Sequence, residues 1–259
     1  MSALIAAFLT LAVFLTSLLS GIFGMAGGLI LMVILLGLMP VAAAMSVHAA
    51  IQLVSNGWRC FLWRRHIVWH VLPWYGCGIV IGFTLMLLIH FVPDKAVTLM
   101  LMGSLPLLAM AGNRIFHLSV TRPAHTLVTA TILTFIHLTA GVVGPLLDLL
   151  YNNAPLTRQQ IISTKAFTQS VMHLVRLAYF GALIPLVTGQ GGWPDSLDLA
   201  FLPVLLIASI CGTSAAAYAV NRMTDRNFKL YSRILITIIS AYCIFSGVSL
   251  YLQNLPQPL

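Results

Sequence analysis

Apolar residues run in eight blocks along the chain, at about 2–38, 42–63, 70–92, 96–112, 124–152, 159–187, 198–220 and 231–252. Short polar connections separate them. Runs of roughly 20 apolar residues are the mark of membrane-spanning helices, whereas a transmembrane barrel would show short stretches of alternating polarity. The first block is too long for one crossing. As a continuous helix it would measure more than about 50 Å, against a hydrocarbon core of about 30 Å. Glycines interrupt it at Ser20-Gly-Ile-Phe-Gly-Met-Ala-Gly-Gly28, and the fifth block is broken likewise at Gly141-Val-Val-Gly-Pro145. The backbone is expected to break at these two places.

Composition supports the same class. Charged residues are 7% of the 259 and mean hydropathy is +1.00, too few charges for a water-facing surface. The expectation is an all-α polytopic membrane protein retaining its N-terminal apolar block. A formal charge of +8 points to Lys- and Arg-rich cytoplasmic loops and not to nucleic acid. Cys60, Cys77, Cys211 and Cys243 stand singly and read as apolar packing. Trp58, Trp63, Trp69 and Trp74 read as an interfacial belt.

Charge placement bears on topology. If every block crossed once, the basic connection at 220–231 would fall opposite those at 63–70 and 112–123. If block 124–152 turns back as a re-entrant hairpin, the basic connections share one side, and Asp94, Lys95, Asp195 and Asp198 take the other. The positive-inside bias favours the second arrangement. Applied to both broken blocks, it yields two inverted four-segment repeats, each a broken first segment, re-entrant or kinked, followed by three spans. The boundaries are 1–112, a cytoplasmic linker at 113–122, and 123–259.

The repeat is visible residue by residue. At an offset of 117, identical pairs are Gly24/Gly141, Gly27/Gly144, Leu29/Leu146, Ser46/Ser163, Ala49/Ala166, Gln52/Gln169, Val54/Val171 and Arg59/Arg176. At 130, Leu72-Pro73 matches Leu202-Pro203 and Gly82 matches Gly212, and Asp94-Lys95 then resembles Asp225-Arg226. Broken segments at corresponding places in two halves point to a transporter's binding site.

The break at Gly24–Leu31, the run Ala-Met-Ser-Val-His-Ala-Ala-Ile-Gln and the basic loop after it resemble the first half of the sulfite exporter TauE/SafE permeases. Gly141–Pro145, Ser163-Thr-Lys-Ala and Tyr179-Phe-Gly181 resemble their second repeat. The resemblance covers nearly the whole chain, with Met25-Ala26 standing where the family commonly has further glycines. It implies a multi-pass permease of the bacterial inner membrane for sulfite, thiosulfate or organosulfonates.

A small oxyanion at mid-membrane needs fixed donors in place of water. Half-helices starting after Gly27-Gly28 and at Gly144-Pro145 would present unpaired N–H groups and positive dipole ends; the competing reading is tight packing at a glycine kink. On the following helices, His48, Gln52 and Asn56 share one face, as do Lys165, Gln169 and His173. Such residues face a cavity or bond across helices. The expected substrate-binding set is Gly27, Gly28, Ser46, His48, Gln52, Gly144, Pro145, Ser163, Lys165 and Gln169. Lys165 is the expected inward cation, with snorkelling to the surface as the alternative. His48, His173 and Asp148 are the candidates for proton coupling, and Asp148 is alternatively a helix cap or a partner of Lys165. Arg59 and Arg176 are expected near the exits, drawing in anions or anchoring helix ends.

The expected function is export of a small sulfur-containing anion by alternating access. Uptake of the same class is the runner-up, and a membrane-embedded enzyme or assembly factor fits less well. All five acidic residues are Asp, and neither an HExxH nor a nucleotide-binding motif occurs. No metal and no cofactor is expected, the partners are the anion and the lipid bilayer, and a homo-oligomer is left open.

Overall fold

A computed structural model describes residues 2–23, 26–112, 118–151, 154–189, 192–194, 197–220 and 225–255. Every regular element among them is helical. In order these are α1 (Ala3–Phe23), α2 (Ala26–Leu38), α3 (Val41–Leu62), α4 (Leu72–Ile89), α5 (Lys95–Gly112), α6 (Pro123–Ala140), α7 (Gly144–Tyr151), α8 (Arg158–Ala178), α9 (Ile184–Thr188), α10 (Leu202–Val220) and α11 (Asp225–Gln253). A π-helical turn, Tyr179–Leu183, joins α8 to α9. Short 3-10 turns precede α4 and α10.

Six described helical stretches are long and apolar enough to cross a membrane: Ala3–Phe23, Trp69–Ile89, Lys95–Gly112, Arg158–Thr188, Leu199–Ala216 and Leu230–Gln253. Their outward faces carry bare apolar side chains, among them Leu4, Val80, Leu88, Leu186 and Phe245. Such a surface is matched by lipid and not by water. The protein is a multi-pass helical membrane protein. By contrast, α3 lies in the middle, with Ala42 through Gln52 buried on every side. That is why a helix with five buried polar side chains, Ser46, His48, Gln52, Ser55 and Asn56, can be there.

Local sequence sets the helix ends. Thr157 and Gln160 form a reciprocal capping box at the start of α8, with bonds of 3.3 and 2.9 Å. Pro123 opens α6, where its missing N–H costs nothing. Gly141 closes α6 in the left-handed region at φ +76°, its N–H donating to the His137 carbonyl.

Both broken blocks fold back on themselves. Gly27 lies against the backbone of Thr16 and Ser20, residues a continuous helix would hold about 10–16 Å away. Hence α2 returns along α1. In the other hairpin Val120 N–H donates to the Leu150 carbonyl at 2.9 Å, tying the end of α7 to the segment before α6. With 13 and 8 residues, α2 and α7 extend only about 20 and 12 Å and do not cross. The first arms, α1 and α6, have 21 and 18 residues and so are full-length or nearly so. The turn at Gly24-Met25, residues 113–117 of the linker with Arg114, the Gly191 and Asp195 positions and Arg222 lie outside the described residues.

Packing pairs exchange between the halves. Helix α1 lies on α10 as α6 lies on α4, while α3 pairs with α8 and α5 with α11. The correspondence extends to single contacts. A methyl group added at Gly82 would come within 3 Å of the Thr131 carbonyl, and one at Gly212 within 3 Å of the Phe14 carbonyl. Gly82 and Gly212 are 130 residues apart, and Phe14 and Thr131 are 117 apart, the same offsets as in the sequence repeat. Likewise Gly103 meets the Ser240 carbonyl and Gly247 the Ala96 carbonyl, both pairs related by 144. The last helices therefore do not follow the Asp94-Lys95/Asp225-Arg226 alignment, whose offset is 131. Helix α11 has 29 residues against 18 in α5, and its added turns precede the packed region.

Candidate functional site

The two backbone breaks and the two polar helices meet at one cavity. It is lined by Ser20 and Gly28 from the first hairpin, by His48, Gln52 and Asn56 from α3, by His137 and Gly141 to Gly144 from the second hairpin, and by Gln169, Met172 and His173 from α8. Its free volume is about 30 Å³. A water needs roughly 10–15 Å³ by the same measure, so the space suits a solute of a few heavy atoms. No carboxylate lines it among the described residues.

The backbone explains how a polar chamber sits inside an apolar fold. Gly28 has no side chain, and a Cβ there would meet the Gln52 amide nitrogen at 3.0 Å. Gly141 needs its positive φ and also gives way to Met45 and Arg176. Helix α7 then starts at Gly144 against the cavity. By position the N–H groups of Gly144 and Leu146 have no acceptor within the helix, and Pro145 has no N–H to leave open.

Arg176 is the buried cation of this region, with 0% of its surface exposed. Its Nη1 donates to the Gly141 carbonyl and its Nη2 to His48 Nδ1. Arginine cannot accept a hydrogen bond, so His48 Nδ1 is the acceptor. The His48 proton is then on Nε2, which donates to the Gly28 carbonyl at 2.9 Å. One chain of bonds thus links the two broken segments, from Gly28 through His48 and Arg176 to Gly141. His48 is the neutral Nε2–H tautomer in this arrangement.

Several polar atoms facing the cavity are left open. Gln52 Nε2, both ring nitrogens of His137, His173 Nδ1 and Gln169 Oε1 are buried with no hydrogen-bond partner among the described residues. Buried groups of this kind are normally paired. The His137 and His173 rings are edge-to-face at 4.8 Å, and His48 lies 5.9 Å from His173. These histidines do not form a metal-ligand group among the described residues.

Of the residues singled out by sequence, Gly28, His48, Gln52, Gly144, Gln169 and His173 line the cavity. Gly27 is instead packed on α1, and Pro145 is buried as the second residue of α7. Ser46 and Ser163 turn their hydroxyls onto their own helices, donating to the carbonyls of Ala42 and Gln160 at 3.0 and 3.1 Å. Lys165 does not reach the cavity. It is paired with Asp148 of α7, with 12% of the lysine and 28% of the aspartate side chain exposed. Arg176, expected near an exit, instead lies behind the cavity, bonded to Gly141 and His48. Arg176 continues the stripe of Gln169 and His173 at i+7 and i+3, and that spacing is the signal that would have found it. His137 was missed as well; it sits in the last turn of α6, four residues before Gly141.

A family model described as sulfite exporter TauE/SafE matches residues 9–243 of the chain. No curated protein and no solved structure matches it.

Proposed function

Because the chain belongs to the sulfite exporter TauE/SafE family, a family of membrane transporters, we propose that it is a bacterial inner-membrane permease that exports a small sulfur oxyanion. The cargo class is sulfite, thiosulfate or a small organosulfonate. The observation that carries this reading is the cavity's chemistry. A water-sized-to-oxyanion-sized space has an open Gln52 amide donor, three histidine rings and a half-helix N-terminus around it, with Arg176 behind and no lining carboxylate among the described residues. Dipole ends and amide donors favour negative charge without forming a deep trap.

In this reading Gly28, Gly144 and the α7 N-terminus supply backbone donors, and Gln52 and Gln169 orient the oxyanion. His173, whose Nδ1 is open among the described residues, exchanges protons with it or with water, His48 holds the two broken segments together through both ring nitrogens, and Lys165–Asp148 forms a neutral pair outside the binding site. Residues 1–112 and 123–259 act as two inverted halves that rock about the shared cavity, as repeat transporters do. Connections at 63–70, 113–122 and 220–231 face the cytoplasm in this arrangement.

Reconstituted into liposomes, the protein is expected to move sulfite, thiosulfate or a sulfonate down an imposed gradient. Gln52→Leu and Gln169→Leu should each lower flux by about tenfold, equivalent to about 1.4 kcal/mol, while thermal unfolding of the purified variants stays near that of the parent. Undiminished flux in both would remove the two glutamines from the site, and absence of flux for the whole panel would overturn the cargo class.

A further inference from the structure

Gln52, Asn56 and Arg59 climb one face of α3 at i, i+4 and i+7. The first two line the cavity, and Arg59 lies beyond it, toward the end of α3 that leads into the turn of Arg64 and Arg65. Asn56 joins the steps. Its Nδ2 donates to the Gln52 carbonyl at 3.0 Å, and its Oδ1 lies 3.5 Å from Arg59 Nη1.

The rest of the Arg59 guanidinium has nothing to hold. Nε and Nη2 are buried and find no acceptor, and no carboxylate pairs with the group, among the described residues. An open amide can be content with a water, but a guanidinium stays charged at any physiological pH. A buried charge of this kind calls for a counter-charge. Nε–H and Nη2–H are also the two parallel donors of the guanidinium's side edge, the fork that grips an oxyanion in a bidentate contact.

Comparison with its counterpart sharpens the point. Arg176, 117 residues on, places Nη1 on the Gly141 carbonyl and Nη2 on His48, which leaves only its Nε open, whereas Arg59 has both Nε and Nη2 open. The residue 117 beyond His48 is Lys165, itself a cation and already held by Asp148. The substitution of lysine for histidine thus removes from Arg59 the acceptor that Arg176 enjoys.

We propose that Arg59 is a second anion-binding station, between the cavity and the basic end of α3, which takes a small oxyanion on its Nε/Nη2 edge. This rests on reading the cavity as the first station. Two stations in series let an anion leave a site without any single site holding it too tightly.

The test is equilibrium binding of radiolabelled sulfite, and separately thiosulfate, to the full chain in lipid nanodiscs. The parent should take up two equivalents. Arg59→Gln should take up one, with the affinity of the remaining site changed less than about twofold. Arg59→Lys, which keeps the charge but loses the fork, should retain the second equivalent about tenfold more weakly; it decides the matter if Arg59→Gln fails to fold. Two unaltered equivalents in Arg59→Gln, an unweakened second equivalent in Arg59→Lys, or a single equivalent in the parent that ignores both substitutions would overturn the second station and leave the cavity reading intact. A parent that binds neither anion would overturn the cavity reading and, with it, this one.

Discussion

Arg176 shows how a single buried side chain holds two broken backbones together. The Gly141 carbonyl and His48 Nδ1 both face its guanidinium and accept from it. Replacing it with methionine leaves two buried acceptors unmatched, which should lower stability by about 2–5 kcal/mol, read as a fall in the unfolding midpoint in detergent. Arg176→Lys should recover only part of this, since an ammonium cannot bridge both groups in one plane. A variant as stable as the parent would mean that the bridge is not a structural element. Lys165 and Asp148 invite the complementary test. Each single neutralisation, Lys165→Met or Asp148→Asn, leaves a partly buried charge alone and should cost about 1–2 kcal/mol, less than for a fully buried pair because both side chains retain some exposure. The double variant should recover most of the loss, and a thermal-unfolding double-mutant cycle measures the coupling.

At the scale of elements, glycines decide how closely helices approach, and four of them form two repeat-related pairs. Gly82 and Gly212 let α4 and α10 rest on the carbonyls of α6 and α1, and Gly103 and Gly247 do the same between α5 and α11. In a bilayer, where apolar helices gain little by leaving lipid, such close backbone contact is a main source of association. Gly82→Val or Gly212→Val should therefore overpack the contact and cost about 1–3 kcal/mol. Gly76→Ala and Gly37→Ala are the controls, because nothing lies within 4 Å of either Cβ position. There the better helix propensity of alanine should stabilise by up to about 1 kcal/mol. Equal effects at packed and open glycines would refute the packing argument. The offsets linking these contacts were partly legible in the sequence: 117 and 130 were found there, but 144 was not. Helix α11 begins with turns that α5 lacks, and an apolar alignment cannot tell an extended helix end from a shifted one.

For the whole molecule, the hairpins decide sidedness. With α1–α2 and α6–α7 each turning back, the chain ends of α3, α5 and α7 and the starts of α4, α6 and α8 fall at one end of the bundle. Contacts of Val68 with Thr164 and of Val120 with Leu150 run across that end. Single cysteines introduced into a Cys-free background at 64–70, at 118–122 and at 222–229 should react from the same side of the membrane, and one at Lys95 from the other. Opposite labelling of 222–229 would rule out the returning second hairpin. The site was legible to a similar extent. Periodicity put His48, Gln52, Gln169 and His173 on two inward faces, because helical spacing determines which residues share a face. It could not say which cation among Lys165, Arg59 and Arg176 reaches the centre, because that depends on where neighbouring elements lie and what they offer.

Sequence alone determined the class of the protein, its helices, its two breaks and the faces that turn inward. These follow from composition, from period 3.6 and from the positions of glycine and proline, all of which act locally. Tertiary structure decided the partners. Lys165 is held by Asp148 because α7 returns beside α8; Arg176 becomes central because His48 and Gly141 come to it from other segments. Electrostatic roles are set by distances between elements, and those distances exist only once the two hairpins have closed on the same cavity.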